Sequence, residues 1–183
     1  GCAWQMNTTL DFTQDFTYDL SINMGSDPSG ADGLCFVIHN DPEGLCACGG
    51  VGGGMGAQGI LNSLIVEVDT YLNAEDRDDG LPGVLCAGGP NPHHMDIWLD
   101  GNVNPVGGAC PGSPGARIIP AAQPLLDEFG VDYNSANGLD HTMRISWNSA
   151  TNTFTAQLMD ATPTLHSYAI VSHSFDPVTV FGT

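Results

Sequence analysis

From end to end the chain is a series of short alternating runs, each closed by a turn signal, and that pattern leaves few folds open. Phe12, Phe16, Tyr18, Leu20 and Ile22 alternate with polar residues across 10–23. Residues 34–39 and 60–68 are short apolar runs, and 95–99, 142–147, 153–159 and 167–172 continue the series. Between them stand Asp27-Pro28-Ser29-Gly30, Asn40-Asp41-Pro42-Glu43-Gly44, Asp100-Gly101-Asn102 and the 148–152 stretch, whose residue types favour turns. Many short strands spaced by turns predict an all-β chain, an antiparallel sandwich or barrel. Only residues 121–129, ending in Asp127-Glu128-Phe129-Gly130, read as a helical turn. The Gly/Pro-rich stretches 80–92 and 104–115 read as long surface loops, because strands resume after each. At 183 residues, with no internal repeat and no boundary, 1–183 is expected to be a single domain with a substantial core.

Charge narrows the partners. The chain has 21 acidic residues, no lysine, and only Arg77, Arg117 and Arg144, for a net charge of −18. Such a surface repels phosphate backbones and anionic membranes and attracts divalent cations, so nucleic acid and membrane insertion are not expected. No apolar run approaches the roughly 20 residues needed to span a bilayer. Six cysteines with few charges suggest an oxidising, extracellular setting and disulfide bonding. Fifteen pairings are open to six cysteines; Cys86 with Cys110 would staple one long insertion. Cys46-Ala47-Cys48 is too tight for a zinc knuckle. Without an initiating Met or a leader, the chain reads as a piece excised from a longer secreted or cell-surface protein.

The chemistry concentrates in residues 64–73. On a strand, Leu64, Val66 and Val68 share one face and Ile65, Glu67 and Asp69 the other, which sets two carboxylates side by side. Tyr71 and Asn73 lead into an acidic loop, 74–80. Carboxylates, an amide oxygen and a backbone carbonyl are the ligands a hard cation such as Ca2+ takes. Glu67 with His94 forms a more nitrogen-tolerant position suited to Mn2+ or another transition metal. The plainer alternative is two acids facing water on a half-buried strand. An EF-hand fails, because Ala74 and Gly80 occupy the positions of its glycine and its bidentate glutamate. A dinucleotide loop at Gly52, Gly54 and Ala57 fails too, because a strand follows it instead of a helix. Residues 49–56 read either as a flexible connection or as a loop whose absent side chains let backbone N–H groups approach a ligand closely.

The ordered motifs Gly30-Ala31-Asp32-Gly33 through Ile38, 52–60, 63–73, Asp78, 94–97 and 140–148 resemble the L-type (legume-type) lectin family, notably its bacterial cell-surface adhesin-like members. The resemblance spans nearly the whole chain. It implies a jelly-roll (concanavalin A-like) sandwich of two antiparallel sheets with sugar-binding loops at one end. It assigns a transition metal to Glu67, Asp69, Asp78 and His94, and Ca2+ to Asp69, Tyr71, Asn73 and Asp78. It also implies a cis Ala31–Asp32 peptide, with Asp32, Gly54 and Asn73 hydrogen-bonding sugar hydroxyls and Tyr71 packing against the ring. Asp76 or Asp79 stands near enough to replace Asp78, His93 to replace His94, and Gly53 to replace Gly54. The chain stops where the family's fourth specificity loop would follow.

The expected function is therefore a calcium-dependent carbohydrate-binding module mediating adhesion to glycans, weak per site and useful through multivalency. The alternative is a structural or protein-interaction sandwich that binds calcium but no glycan. A laminarinase-type jelly-roll glycosidase also carries Glu-x-Asp, but such hydrolysis needs a second carboxyl across the bond. Tyr71, Leu72 and Asn73 fill the stretch that would supply it, so no enzyme is expected. Trp98 and Trp147 are expected in packing, and His39, His141, His166 and His173 receive no ligand role. Asn7-Thr8-Thr9 matches a glycosylation triplet.

Overall fold

The computed structural model describes residues 1–5, 9–71, 93–101, 103, 123–131, 133–161 and 166–182. Eight strands and one short helix follow one another: β1 Phe16–Ile22, β2 Gly33–His39, β3 Ser63–Asp69, β4 His94–Leu99, β5 Gln123–Pro124, β6 His141–Asn148, β7 Thr153–Asp160, β8 Ser167–Ser174 and α1 Pro177–Phe181. They form two antiparallel four-stranded sheets, ordered β1-β6-β7-β8 and β2-β3-β4-β5. This is the jelly-roll sandwich that the alternating runs and the resemblance imply.

Period-two alternation explains the packing. Leu64, Val66, Val68, Met95 and Ile97 line the inner face of one sheet, and Met143, Ile145, Phe154, Ala156 and Leu158 line the inner face of the other. All are completely buried. At one end Phe12 packs against Trp147, Phe175 and Phe181, with ring centroids 5.1–6.1 Å apart. Helix α1 follows from local signals: Pro177 opens it, the Asp176 carboxylate accepts from the Val178 N–H at 3.1 Å, and Gly182 closes it at φ 73°.

Two expectations need correction. The helical turn expected across 121–129 is not there in its described part: Gln123–Pro124 pairs with β4 as strand β5, and a tight turn follows at Asp127–Gly130. Pro124 lacks an N–H, which an edge strand tolerates and a helix interior does not. The strand expected across 10–23 begins only at Phe16, because the Asp11 carboxylate accepts from the Thr13 backbone and hydroxyl at 2.9 and 2.7 Å and turns the chain first. A disulfide joins Cys2 to Cys48, while Cys35 and Cys46 remain thiols. Cys86 and Cys110 lie outside the described residues, as does Asn7.

Candidate functional site

Strand β3 is buried along its whole length, on both faces. Its second face carries Ile65, Glu67 and Asp69, and the register sets this face against its neighbours. Across β4, Asp69 is opposite His94, Glu67 opposite Asp96, and Ile65 opposite Trp98. Across β2, Asp69 is opposite Gly33, Glu67 opposite Cys35, and Ile65 opposite Val37. Opposed residues of an antiparallel pair share a face with Cβ atoms about 5 Å apart. Three carboxylates and an imidazole therefore cluster on two adjacent strands, with Cys35 of β2 beside them.

This cluster is sealed from water. Glu67 and Asp69 are 1% exposed, His94 2% and Asp96 0%. A small apolar cluster of Ala57, Ile65, Trp98 and Val103 covers the strand face beside them. The reading of Glu67 and Asp69 as acids facing water is thus overturned. Burying carboxylates is costly unless donors or cations compensate. Some donors are local: Trp98 Nε1 donates to Glu67 Oε2, the Tyr71 N–H donates to Asp69 Oδ1 at 2.6 Å, and the Ile97 N–H donates to Asp96 Oδ1 at 2.9 Å. The one described arginine, Arg144, is engaged elsewhere with Asp19 at 2.7 Å. Burial first, then the charges of Glu67 and Asp69, push the Cys35 thiol well above its ordinary range. It is held protonated beside the acids.

Three connections meet at the end of this ladder. The Ala31–Asp32 peptide is cis. The Asp32 carbonyl accepts from the Thr70 N–H at 3.0 Å, and the Thr70 hydroxyl donates to the Gly30 carbonyl at 3.2 Å, so the Asp32 turn is tied to the end of β3. The glycine-rich loop closes from the other side. A Cβ on Gly33 would meet the Val68 carbonyl at 2.2 Å and Met55 Sδ at 3.1 Å, so only glycine lets these three segments converge. Gly52–Gly54 forms a single 3-10 turn, with Gly54 buried and its N–H donating to the Val51 carbonyl at 3.4 Å. The Cys2–Cys48 disulfide ties the N-terminal segment to this loop, with Cys2 Sγ in contact with the Gly56 carbonyl at 3.3 Å. Tyr71, leaving β3, is 42% exposed.

The expected metal ligands divide accordingly. Glu67, Asp69 and His94 are brought onto one buried face, and Tyr71 follows Asp69 by two residues. Asn73 and Asp78, with the substitutes Asp76 and Asp79, lie outside the described residues. Among the described residues no three His, Cys, Asp or Glu side chains form a metal-holding group on their own. The donor chemistry nevertheless suits divalent cations: oxygen donors with one imidazole, in a chain without lysine. Of the expected sugar contacts, Asp32 and Gly54 flank the convergence described above. Two participants escaped the sequence reading, Asp96 and the indole N–H of Trp98. A Glu-x-Asp on one strand followed by Asp-x-Trp on the next is a usable signal only once the register is known.

No family model matches the chain. A pesticidal crystal protein, Cry22Aa of Bacillus thuringiensis, is 37% identical over 73 residues, which is 40% of this chain and 10% of that protein. Among solved structures, peanut lectin superimposes with a TM-score of 0.55 at 20% identity, over 91% of this chain and 58% of that one. The lectin of Bauhinia forficata in complex with GalNAc gives 0.54 at 17% identity, over 93% and 66%. Lectin I of Ulex europaeus, in complex with the methyl glycoside of α-L-fucose, gives 0.52 at 17% identity, over 91% and 57%. The chain thus spans less than two thirds of these lectins. At such identities the likeness is one of architecture: the chain has a legume-lectin-like β-sandwich fold.

Proposed function

We propose that residues 1–183 form one calcium-dependent carbohydrate-binding domain of a secreted or cell-surface protein, an adhesion module linked to further domains of the same polypeptide. The observation that carries this reading is the buried pair Asp69 and His94, with Glu67 alongside and the cis Ala31–Asp32 turn tied to the end of the same strand. Ca2+ would be held by Asp69, the Tyr71 carbonyl, Asn73 and Asp78, and a second divalent ion, Mn2+ in kind, by Glu67, Asp69, Asp78 and His94. The ions would supply the positive charge that buried carboxylates require, and so fix the loops around them.

Sugar recognition falls to the rim. Asp32 and Asn73 would hydrogen-bond hydroxyls, the carboxylate giving the stronger, charge-assisted contact. The Gly54 N–H, now 3.4 Å from the Val51 carbonyl, would add a backbone donor only by turning from it, and the exposed Tyr71 ring would pack on the apolar side of the sugar. The lectin-like fold and the sugar complexes of the Bauhinia and Ulex lectins support the ligand class. Burial argues against hydrolysis: with Glu67 and Asp69 each 1% exposed, a glycosidic bond has no path to the paired carboxyls it needs.

The test is a glycan array probed with the wild type, Asp32→Ala and Asn73→Ala, each with calcium and with chelator. Binding by the wild type that chelator removes and calcium restores, and that both variants lack, supports the lectin reading. A blank array for the wild type, with calcium still raising the Tm, points to a calcium-stabilised spacer.

A further inference from the structure

The outer face of the second sheet, on the opposite side of the sandwich from Glu67 and Asp69, has an organised chemistry of its own. Register aligns Thr17 of β1, Ser146 of β6, Thr155 of β7 and Ser172 of β8 in one row across all four strands. Neighbouring strands lie about 4.8 Å apart, so this row is a ladder of evenly spaced hydroxyls. The adjacent row runs from Asn148 through Thr153 to Ser174, with Thr153 Oγ1 and Ser174 Oγ 2.8 Å apart. Four hydroxyls stand in register in the first row and two in the second, while the next row on this face carries Arg144, Gln157 and the exposed Ile170.

A groove of about 600 Å³ opens over the β1–β6–β7 part of this face, lined by Thr17, Ser146, Thr155, Thr153, Asn148 and Asp15. Its rim is held in place. Asp15 Oδ1 accepts from both the backbone and the hydroxyl of Ser149 at 2.7 Å, joining the 148–153 hairpin to the start of β1. Asn148 Oδ1 accepts from the Thr151 N–H at 3.0 Å, which orders the hairpin itself. Each hydroxyl can donate and accept at once, and the amide does both.

The groove's charge selects among ligands. Among the described residues no cation lines it, and Arg144, one row away, is held by Asp19 through two 2.7 Å contacts. Asp15 adds negative charge, and the whole chain carries −18. Anions are therefore repelled. A neutral ligand with many hydroxyls along its length matches donors and acceptors repeated across strands.

We propose that this groove is a second, metal-independent binding site for a neutral linear oligosaccharide. It does not rest on the metal-linked site, and a single chain could grip one polysaccharide on two sides of the sandwich. The test is 1H–15N NMR of the whole chain in chelator, titrated with cello-, malto-, xylo- and mannohexaose, with hexagalacturonate as the anionic counterpart. At least one neutral hexamer should shift the amides of Thr17, Ser146 and Thr155 with millimolar affinity, and the uronate should not. Ser146→Ala with Thr155→Val should weaken that binding about tenfold, the equivalent of one or two hydrogen bonds. Thr17→Val alone should weaken it less, and serves if the double variant fails to fold. The proposal is overturned by silence with all four neutral hexamers, by equal response to the uronate, by shifts confined to residues near Asp32 and Tyr71, or by variants that bind as the wild type does. Concentration-dependent shifts of these amides without sugar, in place of a response to it, would assign the face to a second copy of the chain.

Discussion

Asp69 and His94 stand directly opposite one another across the β3–β4 ladder, and neither is more than 2% exposed. A buried carboxylate and imidazole fixed by strand pairing cannot swing into water. Their placement ties the stability of this end of the sandwich to whatever charge sits beside them.

Asp69→Asn is expected to abolish stabilisation by calcium. Calcium at a hundred times its dissociation constant stabilises a one-site protein by about 2.7 kcal/mol. Thermal unfolding with calcium and with chelator should show a clear Tm difference for the wild type and none for the variant. A variant that still responds to calcium would remove Asp69 from the site.

Asp32→Ala should separate the two halves of the function. The calcium-induced rise in Tm is kept, because Asp32 touches the end of β3 through its backbone carbonyl. Glycan binding drops by at least about tenfold with the loss of a charge-assisted bond. Calorimetry with the best array glycan reads the second quantity and differential scanning fluorimetry the first.

Trp98→Phe removes the indole donor from Glu67 while keeping an aromatic in the small cluster with Ala57 and Ile65. A buried acceptor left without its donor costs about 1–3 kcal/mol, more if charged. Urea unfolding in chelator should show a lower midpoint at unchanged slope.

Cys48→Ser opens the 46-residue loop closed by Cys2 and Cys48. Loop entropy predicts a loss of about 4 kcal/mol, and natural disulfides span about 2–5 kcal/mol. The same loss should follow reduction of the wild type. Equal stability of the two forms under non-reducing conditions would contradict the bond.

Acid should weaken the fold before the carboxylates titrate. Burial pushes the His141 imidazole below its ordinary 6.5, opposed by Asp160, the Leu139 backbone and Asp140. Its Nε2 lies 3.0 Å from the Tyr133 hydroxyl, and its ring meets Tyr168 edge-on. Burial lowers His39 and His173 likewise. Below pH 6.5 the unfolded chain takes up protons that the folded chain refuses. Stability present above that pH is therefore lost as pH falls through it toward the folded value. Unfolding midpoints in chelator should decline from pH 7 to 5, and His141→Gln should flatten the decline.

Much of this molecule is written locally. The alternation of Leu64, Val66 and Val68 with Ile65, Glu67 and Asp69 puts the acids on one face, and β3 obeys it. Aspartates and glycines at 27–30, 40–44 and 100–101 mark turns because their conformations and side-chain bonds are satisfied within a few residues. Where local signals competed, reading them in isolation failed. Residues 121–129 carry helix-forming types, yet Pro124 pairs at a sheet edge, because the edge of β4 offers a backbone partner that no isolated segment can display.

Pairing is what a linear text does not carry. That Asp96 faces Glu67, that Trp98 donates to Glu67, and that Cys2 reaches Cys48 depend on which strands become neighbours and in what register. Shifting β4 by one residue would send Asp96, His94 and Trp98 to the opposite face while leaving their order in the chain unchanged. Residue types and period two dictated strands, faces and turns through short-range sterics. Burial of the acids and their convergence with Asp32 came from cooperative packing of segments far apart in sequence, whose energies exist only once the sandwich has closed.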